Sequence, residues 1–160
     1  MAEMFKAEIA GLEIFEKKMQ DIQEIFGDLK PLFRRLRRSI LNIIDDNFES
    51  EGVEAGEKWQ ALSEKYNKQK IKLYGSGKKI LEASGDLRKS FTSKIDNTSL
   101  TVGTAKEYAA IHNFGMDEKN MPKREFMLNE FQADDLSYDV VTHYFEEAHK
   151  RKIKMIKGEL

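Results

Sequence analysis

The chain has 160 residues and a mass of 18.6 kDa, enough for one sizeable hydrophobic core and too little for two, so we expect a single domain over residues 1–160. The formal net charge of −1 gives no overall attraction to nucleic acid or to anionic membranes. The absence of cysteine excludes disulfides and thiolate metal sites. The first residues carry acids and no long apolar run, so we expect neither a signal peptide nor a transmembrane segment there.

Two amphipathic helices are predicted in residues 1–48. Apolar side chains in residues 5–26 recur at spacings of three, four or seven, and Gly27 then supplies a helix stop. Pro31 suits the first turn of a second helix. We expect the two helices to form an antiparallel hairpin or one broken arm. The apolar faces consist of Phe5, Ile9, Leu12, Met19, Ile22 and Phe26, and of Leu32, Leu36, Ile40, Ile43 and Phe48.

A glycine-containing loop and a short helix are predicted next. Residues 49–58 have no apolar side chain larger than Val53, so they predict a mobile loop before Trp59. Ser63 is placed to cap a short helix that runs through Lys72, and the glycines of the following GSG sequence end it.

A β-hairpin and a further helix complete the predicted core. Residues 90–103 alternate apolar and polar positions around an Asp-Asn-Thr turn, which predicts a small antiparallel sheet. Thr104 and Glu107 have the spacing of a capping box, so we expect a helix that Thr104 opens and Gly115 closes. The alternating apolar positions of the hairpin are Phe91, Ile95, Leu100 and Val102.

The last part of the chain is predicted to be one helix. Residues 116–123 form a loop, residues 126–128 return to the core, and Asp134 is placed to cap the helix. The predicted fold class is therefore α+β, with a small antiparallel sheet packed with helices, two long N-terminal helices and a C-terminal helix. The three parts are residues 1–48, 49–128 and 129–160.

Each candidate for catalysis has a simpler explanation. GSGKK at residues 75–79 departs from a phosphate-binding loop, because the spacing places lysines where that motif needs a glycine and a hydroxyl, so we interpret it as a flexible basic turn. His143 and Glu147 are four residues apart on the predicted helix and His149 is near, but no third metal ligand has a matching spacing. His112 is interpreted as a hydrogen-bonded core or interface group rather than a catalyst.

Charged residues occur in blocks of one sign. Residues 34–38 hold four arginines and residues 65–79 hold lysines without an acid, while residues 45–57 hold acids without a base before Lys58. Such blocks can form contacts between neighbouring subunits of a ring, or they can be solvated surfaces with intrachain ion pairs worth about 0.2–1 kcal/mol each. The basic segments 34–38 and 65–79 can also follow a phosphate backbone, which makes a nucleic-acid-binding module the alternative function.

An ordered set of motifs lies between Trp59 and Phe126: EKWQALSEKYNKQK, ILEASGDLRKSF, TVGTAKEYAAIHNFG and MPKREF. In this order they resemble the phage virion morphogenesis family, the tail completion proteins of Mu-like phages and prophages. The resemblance covers roughly residues 48–128, and Asn113 stands where the family commonly has glutamine. The landmark positions are Trp59, Leu62, Lys70, Gly85, Leu87, Gly103, Tyr108, His112, Phe114, Gly115, Pro122, Arg124 and Phe126.

The resemblance implies a non-enzymatic structural protein of the phage tail or neck that caps the tail tube before the head is joined. It implies a ring, commonly of six copies, with the tail tube and head-connector proteins as partners and without cofactor, metal or membrane. The implied location is the bacterial cytoplasm during assembly and the virion afterwards. Trp59, Leu87 and Phe126 are expected in the core, whereas Lys70, His112 and Arg124 serve core hydrogen bonds or intersubunit contacts.

Overall fold

The structure is a computed structural model that describes residues 28–157. The helix predicted in residues 5–26 and its stop at Gly27 lie outside the described residues. The described part is α+β and mostly helical, which confirms the predicted fold class. Its elements are α1 (Lys30–Glu49), a 3₁₀ helix (Val53–Ala55), α2 (Glu64–Tyr74), β1 (Phe91–Ile95), β2 (Leu100–Thr104), α3 (Tyr108–Phe114), a second 3₁₀ helix (Asp117–Lys119) and α4 (Glu130–Lys157).

Helix α1 connects two hydrophobic clusters, because its buried residues run from Leu32 near its start to Phe48 near its end. Its C-terminal half contributes to the first cluster, which gathers the motif residues, and its N-terminal half builds the second cluster against α4. Pro31 lies in the first turn, as predicted. The buried members are Ile44, Phe48, Trp59, Ile80, Leu87, Ala109 and Phe126 in the first cluster, and Leu29, Leu32, Phe33 and Leu36 in the second.

The predicted β-hairpin is confirmed. Strands β1 and β2 pair antiparallel from Phe91 opposite Thr104 to Ile95 opposite Leu100. Since side chains alternate between the two faces of a strand, Phe91 and Ile95 lie on one face. Phe91 packs against the first cluster and Ile95 against the second, so the hairpin face spans both.

Residues 49–58 form a compact turn rather than the predicted mobile loop. Glu51 and Gly52 have φ angles of 53° and 91°, in the left-handed region. This conformation reverses the chain direction. The amide of Gly52 donates to the carbonyl oxygen of Asn47 at 2.9 Å, and the amide of Trp59 donates to the carbonyl oxygen of Glu51 at 2.7 Å. The short helix that follows has Ser63 as its cap, as predicted, and reaches Tyr74.

The predicted start of α3 is wrong, because the strand pairing uses Thr104. Thr104 is the last residue of β2, and its hydroxyl accepts a hydrogen bond from the amide of Lys106 at 3.2 Å. The helix begins only at Tyr108, and no side chain caps it. Its end at Gly115 is confirmed, and the φ of 77° there explains the glycine.

The C-terminal helix is confirmed, but Asp134 is not its cap. The Oδ1 of Asn129 accepts from the amide of Gln132 at 2.9 Å, and the amide of Asn129 donates to Oε1 of Gln132 at 3.4 Å. This reciprocal pair is a capping box at the start of α4. Asp134 is an exposed residue inside the helix. The apolar face of α4, with Leu136, Val140 and Tyr144, packs against the second cluster.

Candidate functional site

Trp59 is fixed in the first cluster. Its indole Nε1 donates to the carbonyl oxygen of Glu125 at 3.1 Å, and its ring meets the ring of Phe48 edge to face with centroids 5.7 Å apart. A Cβ atom added to Gly52 would come within 2.4 Å of two atoms of the indole. Trp59 therefore joins the beginning of the motif block to its end.

Asn113 organises the segment that carries the closing P-x-R-x-F motif. Its Oδ1 accepts from the amides of Phe126 at 3.0 Å and Met127 at 2.9 Å, and the neighbouring carbonyl of His112 accepts from the amide of Arg124 at 2.8 Å. Helix α3 thus supplies hydrogen-bond partners to a segment that has no regular structure of its own. Sequence reasoning gave Asn113 no role; an amide side chain in a short apolar helix was the signal that could have identified it.

The buried Arg124 and the half-buried His112 lie beside that segment. Arg124 is buried, and its Nη2 lies 3.2 Å from the carbonyl oxygen of Gln60. Burial lowers the pKa of Arg124; burial and then the charge of Arg124 lower the pKa of His112. The Nδ1 of His112 is buried without a hydrogen-bond partner among residues 28–157. A neutral imidazole beside a buried guanidinium suits packing and orientation better than proton transfer.

Lys70 is the buried residue of α2, and its hydrogen bonds join that helix to residues 78–79. Its Nζ donates to the carbonyl oxygen of Lys78 at 3.0 Å and to that of Lys79. Desolvation lowers the pKa of Lys70, while Glu51 and Glu82 oppose this effect. These carbonyls of residues 78 and 79 face an ammonium group, so the turn at 75–79 binds a lysine rather than presenting a phosphate cradle.

The other landmark residues divide between core and surface. Leu87 is buried in the first cluster, and Leu62 packs against it. Tyr108 and Phe114 are exposed, and the ring of Tyr108 meets that of His112 at 6.0 Å. Gly85 lies in the turn before Leu87, Gly103 in β2 opposite Thr92, Gly115 close to the backbone of Lys123, and Pro122 in the segment before Arg124.

Arg88, which sequence reasoning did not single out, neutralises part of the acidic block. Its Nη2 and Nε bind both carboxylate oxygens of Asp45, at 2.8 and 2.5 Å, and its Nη1 contacts Glu49 at 3.1 Å and also Glu82. These contacts raise the pKa of Arg88 and lower that of Asp45, whereas Lys79 and then Arg88 lower that of Glu49. Of the two interpretations of the acidic block, intrachain ion pairing is the one observed at Asp45 and Glu49.

Only part of the arginine block of α1 forms ion pairs within the described residues. Arg35 donates to Oε2 of Glu147 at 2.7 Å and lies over the ring of Tyr144. Three other arginines, Arg34, Arg37 and Arg38, are exposed and have no ion pair among residues 28–157. In the part of the chain that the structure describes, they form a cationic surface on one helix.

His143 and Glu147 of α4 contact each other on the helix surface. His143 Nε2 lies 2.9 Å from Oε1 of Glu147, and the other carboxylate oxygen, Oε2, accepts from Arg35. Within the described residues, no group of three or more histidines, cysteines, aspartates or glutamates is placed to hold a metal ion. None of the helices in residues 28–157 has the length and hydropathy needed to cross a membrane.

Fold and site together define a small α+β protein. Its motif residues Trp59, Leu87 and Phe126 pack in the core, whereas Tyr108, Phe114 and many charged side chains are exposed. The sequence profile described as the phage virion morphogenesis family matches residues 11–145, and the chain belongs to this family. The match extends beyond residues 48–128 at both ends. An uncharacterised protein of Methanocaldococcus jannaschii is 33% identical over 102 residues, which is 61% of this chain and 75% of that protein. No solved structure matches significantly.

Proposed function

We propose that the protein is a non-enzymatic structural subunit that completes the phage tail or joins it to the head. The family match over residues 11–145 is the observation that carries the proposal. In this proposal the subunit assembles as a ring, with six copies as the first number to test, and contacts the tail tube and the head-connector proteins. It works in the bacterial cytoplasm during assembly and then remains in the virion.

The geometry of the motif residues supports a role in shape rather than in chemistry. The buried polar side chains Asn113 and Arg124 hydrogen-bond to backbone groups, as does Lys70, so they define a rigid subunit. A rigid subunit with exposed aromatic side chains suits assembly, because large rigid side chains contribute contact area at a small entropic cost.

Deletion of the gene tests the function directly. We expect DNA-filled heads and finished tails that remain separate in electron micrographs, with joining restored when the wild-type gene is supplied from a plasmid. A plasmid that encodes an early stop codon is the matched control. Joined, infectious particles from the deletion strain would contradict the proposal.

A nucleic-acid-binding module is the second candidate, supported by the exposed, unpaired Arg34, Arg37 and Arg38 in the described structure. Phosphate contacts release counterions, so binding that depends on these residues weakens steeply as salt is added. The triple change to glutamine should abolish duplex binding at low salt if this candidate holds. Negligible binding by the wild type at about 150 mM salt removes it.

A further inference from the structure

Helix α2 presents a basic and apolar surface to solvent. Leu73 is 64% exposed, and Ile71 and two tyrosines of the helix are also exposed. Lysines that make no ion pair within the described residues lie among these side chains. At about 3.6 residues per turn, Ile71 and Tyr74 lie outside the half of the α2 circumference that holds the lysines and Leu73. The remaining side chains share that half, which we call the basic helix face; it consists of Lys65, Tyr66, Lys68, Lys72 and Leu73.

The first half of α4 presents a surface of the opposite charge. Phe131 and Tyr138 are 78% and 74% exposed, and with Asp135 they follow one stripe at spacings of four and three. The acids around them are exposed and unpaired within residues 28–157. We call this surface the acidic helix face; it consists of Glu130, Phe131, Asp134, Asp135, Tyr138 and Asp139.

The two faces are similar in length and opposite in charge. Each spans about two and a half turns of helix, roughly 12–14 Å, and combines large apolar or aromatic side chains with charges of one sign. The faces are both exposed in the same subunit, so neither is covered by the other. The acids at Asp45 and Glu49 are already paired with Arg88, whereas those of the acidic helix face have no ion pair among residues 28–157.

We propose that the basic helix face of one copy docks onto the acidic helix face of the next copy. The inference rests on the proposed ring function and identifies the two sides of its contact. Two different faces make a heterologous contact, in which each copy uses one face on each side, and this is the type of contact that closes into a ring. The aromatic side chains supply the buried area, and the lysines and carboxylates set the register.

Cross-linking between single-cysteine variants tests the contact, and the wild type has no cysteine that would interfere. Leu73→Cys and Tyr138→Cys are prepared separately, mixed at high concentration and treated with a short bismaleimide. We expect a covalent dimer in the mixture and no more dimer from either variant alone than from a Thr101→Cys control, whose cysteine lies on the exposed part of β2.

Charge exchange adds a second, independent readout. Changing Lys68 and Lys72 to glutamate in the Leu73→Cys chain should lower the yield of mixed dimer at least about fivefold, because it places like charges opposite each other. Changing Asp135 and Asp139 to lysine in the Tyr138→Cys chain should then restore the yield. Failure of this restoration would show that the two faces do not meet.

Three other outcomes would overturn the inference. One is the absence of mixed dimer at high concentration, and another is equal cross-linking of one variant with itself. The third is slow maleimide labelling of Leu73→Cys in dilute monomer, which would show that the chain's own residues 1–27 or 158–160 cover the basic helix face. Each leaves the proposed function standing if the gene deletion blocks joining of heads and tails, so the two failures can be distinguished.

Discussion

At the scale of single residues, the turn at Gly52 controls the position of Trp59. Gly52→Ala should destabilise the fold by more than about 2 kcal/mol, since it combines a left-handed backbone with a clash against the indole ring. Urea unfolding followed by tryptophan fluorescence measures the loss.

Gly56→Ala is the matched control for this substitution. Its φ of 100° imposes a similar backbone cost, but an added Cβ atom there meets nothing within 4 Å. We expect a loss of about 1 kcal/mol from the backbone alone. Equal losses of unfolding free energy for the two variants would show that the contact with Trp59 does not contribute to stability.

At the scale of elements, the start of α4 is set by a side-chain cap that sequence reasoning placed wrongly. Asn129→Ala should cost about 1 kcal/mol, because it leaves the amide of Gln132 without its partner. Asp134→Ala, the cap expected from the sequence, should change the free energy of unfolding by less than about 0.5 kcal/mol. Thermal or urea unfolding of the two variants compares them, and the reverse order would favour Asp134.

The ion pairs of Arg88 link α1 to the segment before β1 and predict a pH dependence. The pKa values of Asp45 and Glu49 are lowered in the folded protein. The two ionised carboxylates therefore stabilise the fold at pH values above the ordinary carboxylate pKa of about 4, and this stabilisation is lost as the pH falls through the lowered pKa values. Arg88→Ala should therefore be less stable than the wild type at pH 7, and the difference should shrink towards pH 3. Urea titrations at both pH values measure it.

Arg35→Ala controls for the loss of an arginine ion pair in general. Arg35 lies in the N-terminal half of α1 and binds Glu147 of α4. This variant should leave the titration of Asp45 and Glu49 unchanged in NMR spectra, whereas Arg88→Ala should raise both pKa values. A pH-independent difference between Arg88→Ala and the wild type would contradict the assignment.

At the scale of the whole molecule, the shared helix α1 should make the two clusters unfold together. Leu32→Ala removes a fully buried side chain from the second cluster and should cost about 2–5 kcal/mol. Trp59 is the one tryptophan of the chain and lies in the first cluster, so its fluorescence reports that cluster alone. We expect fluorescence and circular dichroism to shift by the same amount.

Separate transitions for the two probes would show that the clusters are independent units and would contradict a single domain. Ser39→Ala, a change on the same helix outside both clusters, should leave both curves within about 0.5 kcal/mol of the wild type. The comparison therefore separates an effect on core packing from an effect on the helix itself.

The sequence by itself determined the periodic and local features: the amphipathic α1, the Ser63 cap, the hairpin, the glycine end of α3 and, through its ordered motifs, the family. These depend on side-chain spacing and on neighbours in the chain, which a sequence displays directly. Only the tertiary structure decided that Thr104 belongs to a strand, that Asn129 caps α4, that Asn113 holds the closing motif and that Arg88 uses the acids of α1. These depend on partners far apart in the chain, whose competing hydrogen bonds and charges become visible only when folding brings them together.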